Sequence, residues 1–164
     1  MRLRVFLISV CVLLASSAFA QVASPPPTLV VTDTGKIQFD VSPDNDVQFG
    51  TPPLPLVASY RIDLYAKADA TWTGADASTA IAAIRVGATP LVTRSLPKTT
   101  GVASLFLLNL KTALAPNVEY VAAVTAIGPT PPTGPTLESG ASVARDPFGY
   151  PGPPRRAGLV RVIP

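Results

Sequence analysis

The sequence predicts an all-β chain folded as an antiparallel β-sandwich of about seven strands, and three observations carry that expectation. First, Tyr120, Ala122, Val124 and Ala126 share one face of an alternating run whose other face holds Val121, Ala123, Thr125 and Ile127, as a period of two requires of a strand. Second, fourteen of the nineteen prolines cluster at Pro25-Pro27, Pro52-Pro55, Pro129-Pro135 and Pro147-Pro154, between the alternating segments, where they mark turns and linkers. Third, strand-like runs recur at short spacing between these turn signals, the rhythm of a sandwich.

The elements follow in order. Thr28 to Thr32 is β-branched and stops at Asp33-Thr34-Gly35, a first strand and turn. Lys36 to Val41 alternates with Ile37, Phe39 and Val41 inward, closed by Pro43-Asp44-Asn45-Asp46. Val57 to Lys67 is the clearest strand, with Tyr60, Ile62 and Leu64 on one face and Arg61, Asp63 and Tyr65 on the other; a one-residue slip would bury Arg61 and Asp63. Asp76 to Ile84 is Ala-rich and compatible with a helical turn or a strand, and Pro90 to Leu96 reads as a short edge strand. Val102 to Leu110 reads as a buried strand with Phe106, Leu108 and Leu110 toward the core. The Tyr120 strand comes next, then a Gly/Pro/Thr loop over 128–134 and a last strand over 138–145.

The N-terminus has the three parts of a secretory signal: Arg2 and Arg4, an apolar run from Val5 to Leu14, and Ala18-Phe19-Ala20 before Gln21. That run is shorter than the ~20 residues needed to span a bilayer, so cleavage after Ala20 and export to the periplasm or outside are expected, with no membrane span afterwards. Cys11, the only cysteine, follows Val10 where a lipoprotein signal takes Gly, Ala or Ser, which argues against lipid anchoring. The expected organisation is thus a signal over 1–20, a Pro-rich lead over 21–27, one sandwich over 28–146 and a Pro-rich tail over 147–164.

Cleavage leaves no cysteine and no histidine, which removes disulfides, histidine-based triads and ordinary structural zinc sites. No cofactor and no metal are expected. Losing Arg2 and Arg4 takes thirteen basic residues to eleven against ten acidic, so the net charge falls from +3 to about +1. With positives scattered singly except for Arg155-Arg156, the chain lacks the basic footprint of a nucleic-acid partner.

Leu114, Pro116, Tyr120, Ala122, Val124 and Ala126 are similar, position by position, to the corner and penultimate strand of fibronectin type III domains, and Tyr60 and Ile62 resemble their third strand. The resemblance spans roughly residues 28–146, close to the ~100 residues of such sandwiches with a longer middle loop. It implies that Tyr120 buries its ring and sends its hydroxyl to a backbone group near Leu114-Pro116, a structural role. One departure stands out: the family's core tryptophan lies on the second strand, where this chain has Phe39, while its single Trp72 follows the third strand. A more general immunoglobulin-like sandwich fits these residues as well.

Candidate chemistry is sparse. Asp33-Thr34-Gly35 after an apolar run resembles the way aspartic proteases present a carboxylate, but that reaction needs two such aspartates, and a strand-ending turn explains the residues. Asp44 and Asp46 flank Asn45 with hard oxygen ligands that calcium accepts, against the reading of a solvated turn. Glu119 and Glu138 are the only glutamates, with Glu119 expected at the surface. Tyr65 and Trp72 suggest an exposed aromatic platform for a sugar or peptide, against ordinary packing. The tail from Pro147 to Arg156 reads as an extended, solvated spacer, and residues 157–164, apolar again, as an added edge strand or the opening of another domain.

The expected function is a non-catalytic binding or spacer module of the cell envelope, with protein or polysaccharide as partner. The alternatives are a surface assembly subunit that donates residues 157–164 as a strand to a neighbour, and a carboxylate-based hydrolase.

Overall fold

A computed structural model describes residues 25–30, 35–131 and 134–149. The signal segment, Asp33 and Thr34 of the Asp-Thr-Gly turn, and the tail from residue 150 lie outside the described residues. The described part is built from β1 (Leu29–Val30), β2 (Lys36–Asp40), β3 (Gln48–Phe49), β4 (Leu54–Pro55), β5 (Ser59–Ala66), β6 (Ala70–Thr73), β7 (Ile81–Ile84), β8 (Val92–Pro97), β9 (Val102–Phe106), β10 (Glu119–Ile127), β11 (Ser142–Val143) and β12 (Phe148–Gly149). The described residues are all-β, with two short 3-10 turns at Lys67–Asp69 and Leu107–Leu110.

The principal sheet runs β1-β12-β10-β5-β8, with β11 also paired to β10. Its centre is the β5/β10 ladder, which aligns Tyr120 with Ala66 at one end and Ile127 with Ser59 at the other. Strand β10 is apolar on both faces and is buried on both, which is what a central strand covered on two sides requires. On one face, Ile62, Leu64, Tyr120 and Ala122 pack with Leu105, Leu107, Leu110, Leu114 and Phe148, under the β2/β9 hairpin. On the other, Val121 packs with Ala70, Trp72, Ala80 and Ala82 of the β6/β7 hairpin. Three β layers therefore share one central strand.

Several expectations change. The apolar run at 102–110 does not present Phe106 and Leu108 to the core: they are 51% and 53% exposed, and Ala103, Leu105, Leu107 and Leu110 are buried instead. The cause is register, because β9 sets Ala103 opposite Phe39 and Leu105 opposite Ile37, which leaves Phe106 opposite the exposed Lys36. The 3-10 turn that follows places residues three apart on one side, so Leu107 and Leu110 both reach the core. The 76–84 segment is a turn followed by β7 and not a helix: the Asp76 carboxylate accepts from the amides of Ser78 and Thr79 and from both hydroxyls. Those bonds, the Ser78 hydroxyl foremost, hold its carboxyl below the usual aspartate range.

Asp63 is also buried, 5% exposed, although its face was expected to be solvated. It is satisfied there by Arg61 Nε at 2.9 Å and the Thr93 hydroxyl at 2.6 Å, as a buried carboxylate must be. The tail does not begin as a solvated spacer: Pro147 and Phe148 are buried, the Phe148 ring stacks on Tyr120 at 5.8 Å, and β12 joins the principal sheet between β1 and β10.

Candidate functional site: a groove between two strand edges

A cleft of about 550 Å³ opens where β2 fails to meet β11. Its floor is Ala122, Val124 and Ala126 of β10, its walls are Ile37, Phe39 and Val41 on one side and Ser142, Val143 and Ala144 on the other, and Tyr60 stands at one end. Strand β2 pairs with β9 and strand β11 with β10, so among the described residues each has an edge without a strand partner at the gap. A second depression of about 190 Å³ adjoins it at Ser42, Ala126 and Ser139 and reaches Gly128. From Ala122 to Gly128 the groove follows β10 for about 20 Å at the rise of a strand.

The floor is low because the inward face of β10 carries small side chains at Ala122 and Ala126. Tyrosines fill the space beyond each end. At one end Tyr60, opposite Ala126, donates from its hydroxyl to Asn45 Oδ1 at 2.8 Å and accepts from the Ser42 amide at 3.0 Å. Asn45, 2% exposed, in turn donates to the Thr99 carbonyl at 2.9 Å. At the other end the buried Tyr120 accepts from the Ala115 amide at 2.8 Å, beside Leu114 and Pro116. The two hydroxyls tie flanking loops to the sheet while the stretch between them stays open.

Among the described residues the ionisable groups lining the two depressions are Asp40, Asp44, Glu138 and Tyr60, and no Lys or Arg lines either. Glu138 is engaged by Arg61 in a bidentate pair at 2.8 and 3.0 Å, the contact that most raises the Arg61 pKa. Asp40 and Asp44 are exposed at the rim. The groove is therefore apolar at its base and acidic at its lip.

The structure separates the residues that sequence reasoning grouped. Trp72 is not in a loop: it lies on β6, is 5% exposed, and its indole N–H donates to the Arg145 carbonyl at 2.8 Å. Tyr65 is half-buried on β5 opposite Val121, on the same sheet face; burial, with a smaller contribution from Asp63, raises its pKa. With the indole enclosed, Tyr65 and Trp72 do not form an exposed platform. At Asp44-Asn45-Asp46 the amide oxygen of Asn45 is taken by Tyr60, and Asp46 lies near Asn45 Nδ2 at 3.0 Å and Lys98 Nζ at 3.6 Å. Among the described residues no group of three or more acidic side chains gathers at metal-binding distance. Glu119 and Glu138 stand at opposite ends of β10, since Glu138 bridges Ile127, about 26 Å apart along the strand. That is far beyond the separation a carboxylate pair needs across one glycosidic bond.

Sequence reasoning missed the groove because a gap between strands has no residues of its own. Its only trace is the pair of alanines on the inward face of β10. No protein-family model, curated protein or solved structure matches the chain. Its class is thus set by its own architecture, an all-β protein with a groove along its central strand, and no helix among the described residues is long and apolar enough to cross a membrane.

Proposed function

We propose that the chain is an exported, non-catalytic binding module of the cell envelope, built as an immunoglobulin- or fibronectin type III-like sandwich, that holds an extended segment of a partner protein in the β2/β11 groove. The observation that carries this reading is the pair of facing strand edges over an apolar floor. Such a gap offers an incoming strand backbone donors and acceptors on both sides and small pockets for alternate side chains. The Tyr120 corner, the inward Tyr60 and Ile62, and the second-layer position of Phe39 support the sandwich assignment. The residues Arg2, Arg4 and Ala18-Phe19-Ala20 support export.

A protein partner fits better than a polysaccharide, because sugar rings are recognised by exposed aromatic faces and the indole of Trp72 is enclosed. A hydrolase fits less well than either. Its two carboxylates would have to converge on one bond, and among the described residues the cleft proper is lined by a single carboxylate, Asp40.

The test is backbone amide hydrogen exchange on the full chain with extended peptides selected from a random library. Bound peptides are expected to protect amides of both β2 and β11, and Ser142→Trp, which places an indole at the rim, is expected to abolish their capture. Selected peptides that protect neither edge would rule out strand addition.

A further inference from the structure

Resting on the reading of the groove as a strand acceptor, we infer that its occupant is the segment 157–164 of a second copy of this chain. The groove and the segment match in length, shape and charge. Residues Ala157-Gly158-Leu159-Val160-Arg161-Val162-Ile163-Pro164 would extend about 26 Å as a strand, which covers the ~20 Å between Ala122 and Gly128. With a period of two, Val160 and Val162 share one face and Leu159, Arg161 and Ile163 the other. Branched valines suit the shallow floor of Ala122, Val124 and Ala126, and Arg161 then faces outward to the lip, where Asp40 and Asp44 are exposed. The charge match extends further: residues 150–164 carry Arg155, Arg156 and Arg161 with no acidic residue, whereas among the described residues no cation lines the groove.

The direction of β12 favours a neighbour over the same molecule. Strand β12 ends at Gly149, beside Glu119 at the start of β10. The strand runs from Phe148 opposite Tyr120 to Gly149 opposite Glu119 and so heads away from the groove, which begins at Ala122; to enter the groove of its own molecule the chain would have to reverse within 150–156 and run back along β10. A segment from another copy needs no such reversal. Each copy then carries one donor and one acceptor, so association is head-to-tail and closes into a ring or extends as a fibre.

The experiment compares the full chain, purified as its host processes it, with a variant lacking 157–164, by light scattering across a concentration series. Far-ultraviolet circular dichroism and Trp72 fluorescence verify that the truncated chain is folded. The full chain is expected to gain mass with concentration, the truncation to stay monomeric, and a synthetic 157–164 peptide to bind the truncated chain and protect β2 and β11 amides from exchange. Asp40→Lys with Asp44→Lys is expected to weaken that peptide about ten-fold, and an Arg161→Glu peptide to recover affinity on this variant. A monomeric full chain, or association that survives truncation, overturns the second-copy inference. If the full chain is monomeric and library peptides still protect both edges, the groove remains a strand acceptor for another protein; if nothing protects them, both readings fall together.

Discussion

The two faces of β10 are covered by hairpins of similar kind yet end in opposite states, one sealed and one open. On the sealed face, β6/β7 lays Trp72 and three alanines over Val121, and the indole N–H reaches Arg145 just beyond β11. The Arg145 guanidinium in turn donates to the Ser78 carbonyl at 2.8 Å, so hairpin and strand hold each other at both ends. On the open face, β2/β9 covers Leu64 and Tyr120 but leaves Val124 and Ala126 to the groove. A large ring with a polar tip can seal a layer and satisfy its own donor in one contact. Small residues on the same strand leave the groove open.

The largest expected effect breaks the sealed side. Trp72→Ala removes a buried indole and its hydrogen bond to Arg145, and should cost about 3–5 kcal/mol in urea denaturation. Peptide capture by the groove, measured under conditions where the variant stays folded, should be unchanged, since Trp72 packs on the opposite face. A loss of capture that exceeds the loss of folded protein would show that the two faces are coupled.

The next two variants separate the ends of the open side. Asn45→Ala leaves the Tyr60 hydroxyl and the Thr99 carbonyl without their partner in a buried position, and should cost about 1–3 kcal/mol. Tyr120→Phe removes only the acceptor for the Ala115 amide, and Ala115 is exposed, so water replaces the lost oxygen; the expected cost is about 1 kcal/mol. Thermal denaturation ranks them, and the reverse order would mean that the corner at Tyr120, and not the Tyr60 clamp, anchors the open face.

What was legible in the sequence follows from how many residues each pattern had in which to repeat. Strands β5 and β10 run for eight and nine residues, enough for a period of two to fix both faces, and Tyr60, Ile62, Leu64 and Tyr120 were placed accordingly. Strand β6 has four residues, Ala-Thr-Trp-Thr, ahead of Gly74; with threonines on either side of the indole it reads as a loop. In Leu105-Phe106-Leu107-Leu108 every position is apolar, so either register satisfies the pattern and the choice falls to Ile37 and Phe39 across the hairpin. Asp63 is buried because Arg61 and Thr93 converge on it, and the Thr93 contact depends on the β5/β8 register, which composition does not encode.

The smallest effect concerns β1, the strand that pairs with β12. Strand β1 is tied to the start of β10 through Thr28, whose hydroxyl donates to the Glu119 carboxylate and accepts from Lys67 Nζ at 2.8 Å, while Lys67 also pairs with Glu119 at 3.2 Å. The Thr28 hydroxyl first, and Lys67 second, hold the Glu119 carboxyl below the usual glutamate range. A carboxyl depressed in the folded state binds a proton less readily there than in the unfolded chain. Its contribution is therefore complete above the ordinary glutamate range and is lost as pH falls through that range toward the folded value. Because Glu119 is exposed and solvent screens the pair, the loss should appear as local opening of β1 and not as global unfolding. The Leu29 amide, bonded to the Pro147 carbonyl at 2.9 Å, reports it: its exchange, corrected for the intrinsic rate, should accelerate on acidification in the native chain and be insensitive to pH in Glu119→Gln. If the variant keeps the acid dependence, another group secures β1. If it loses both the dependence and the protection, the Glu119 carboxylate is what holds β1 on β12.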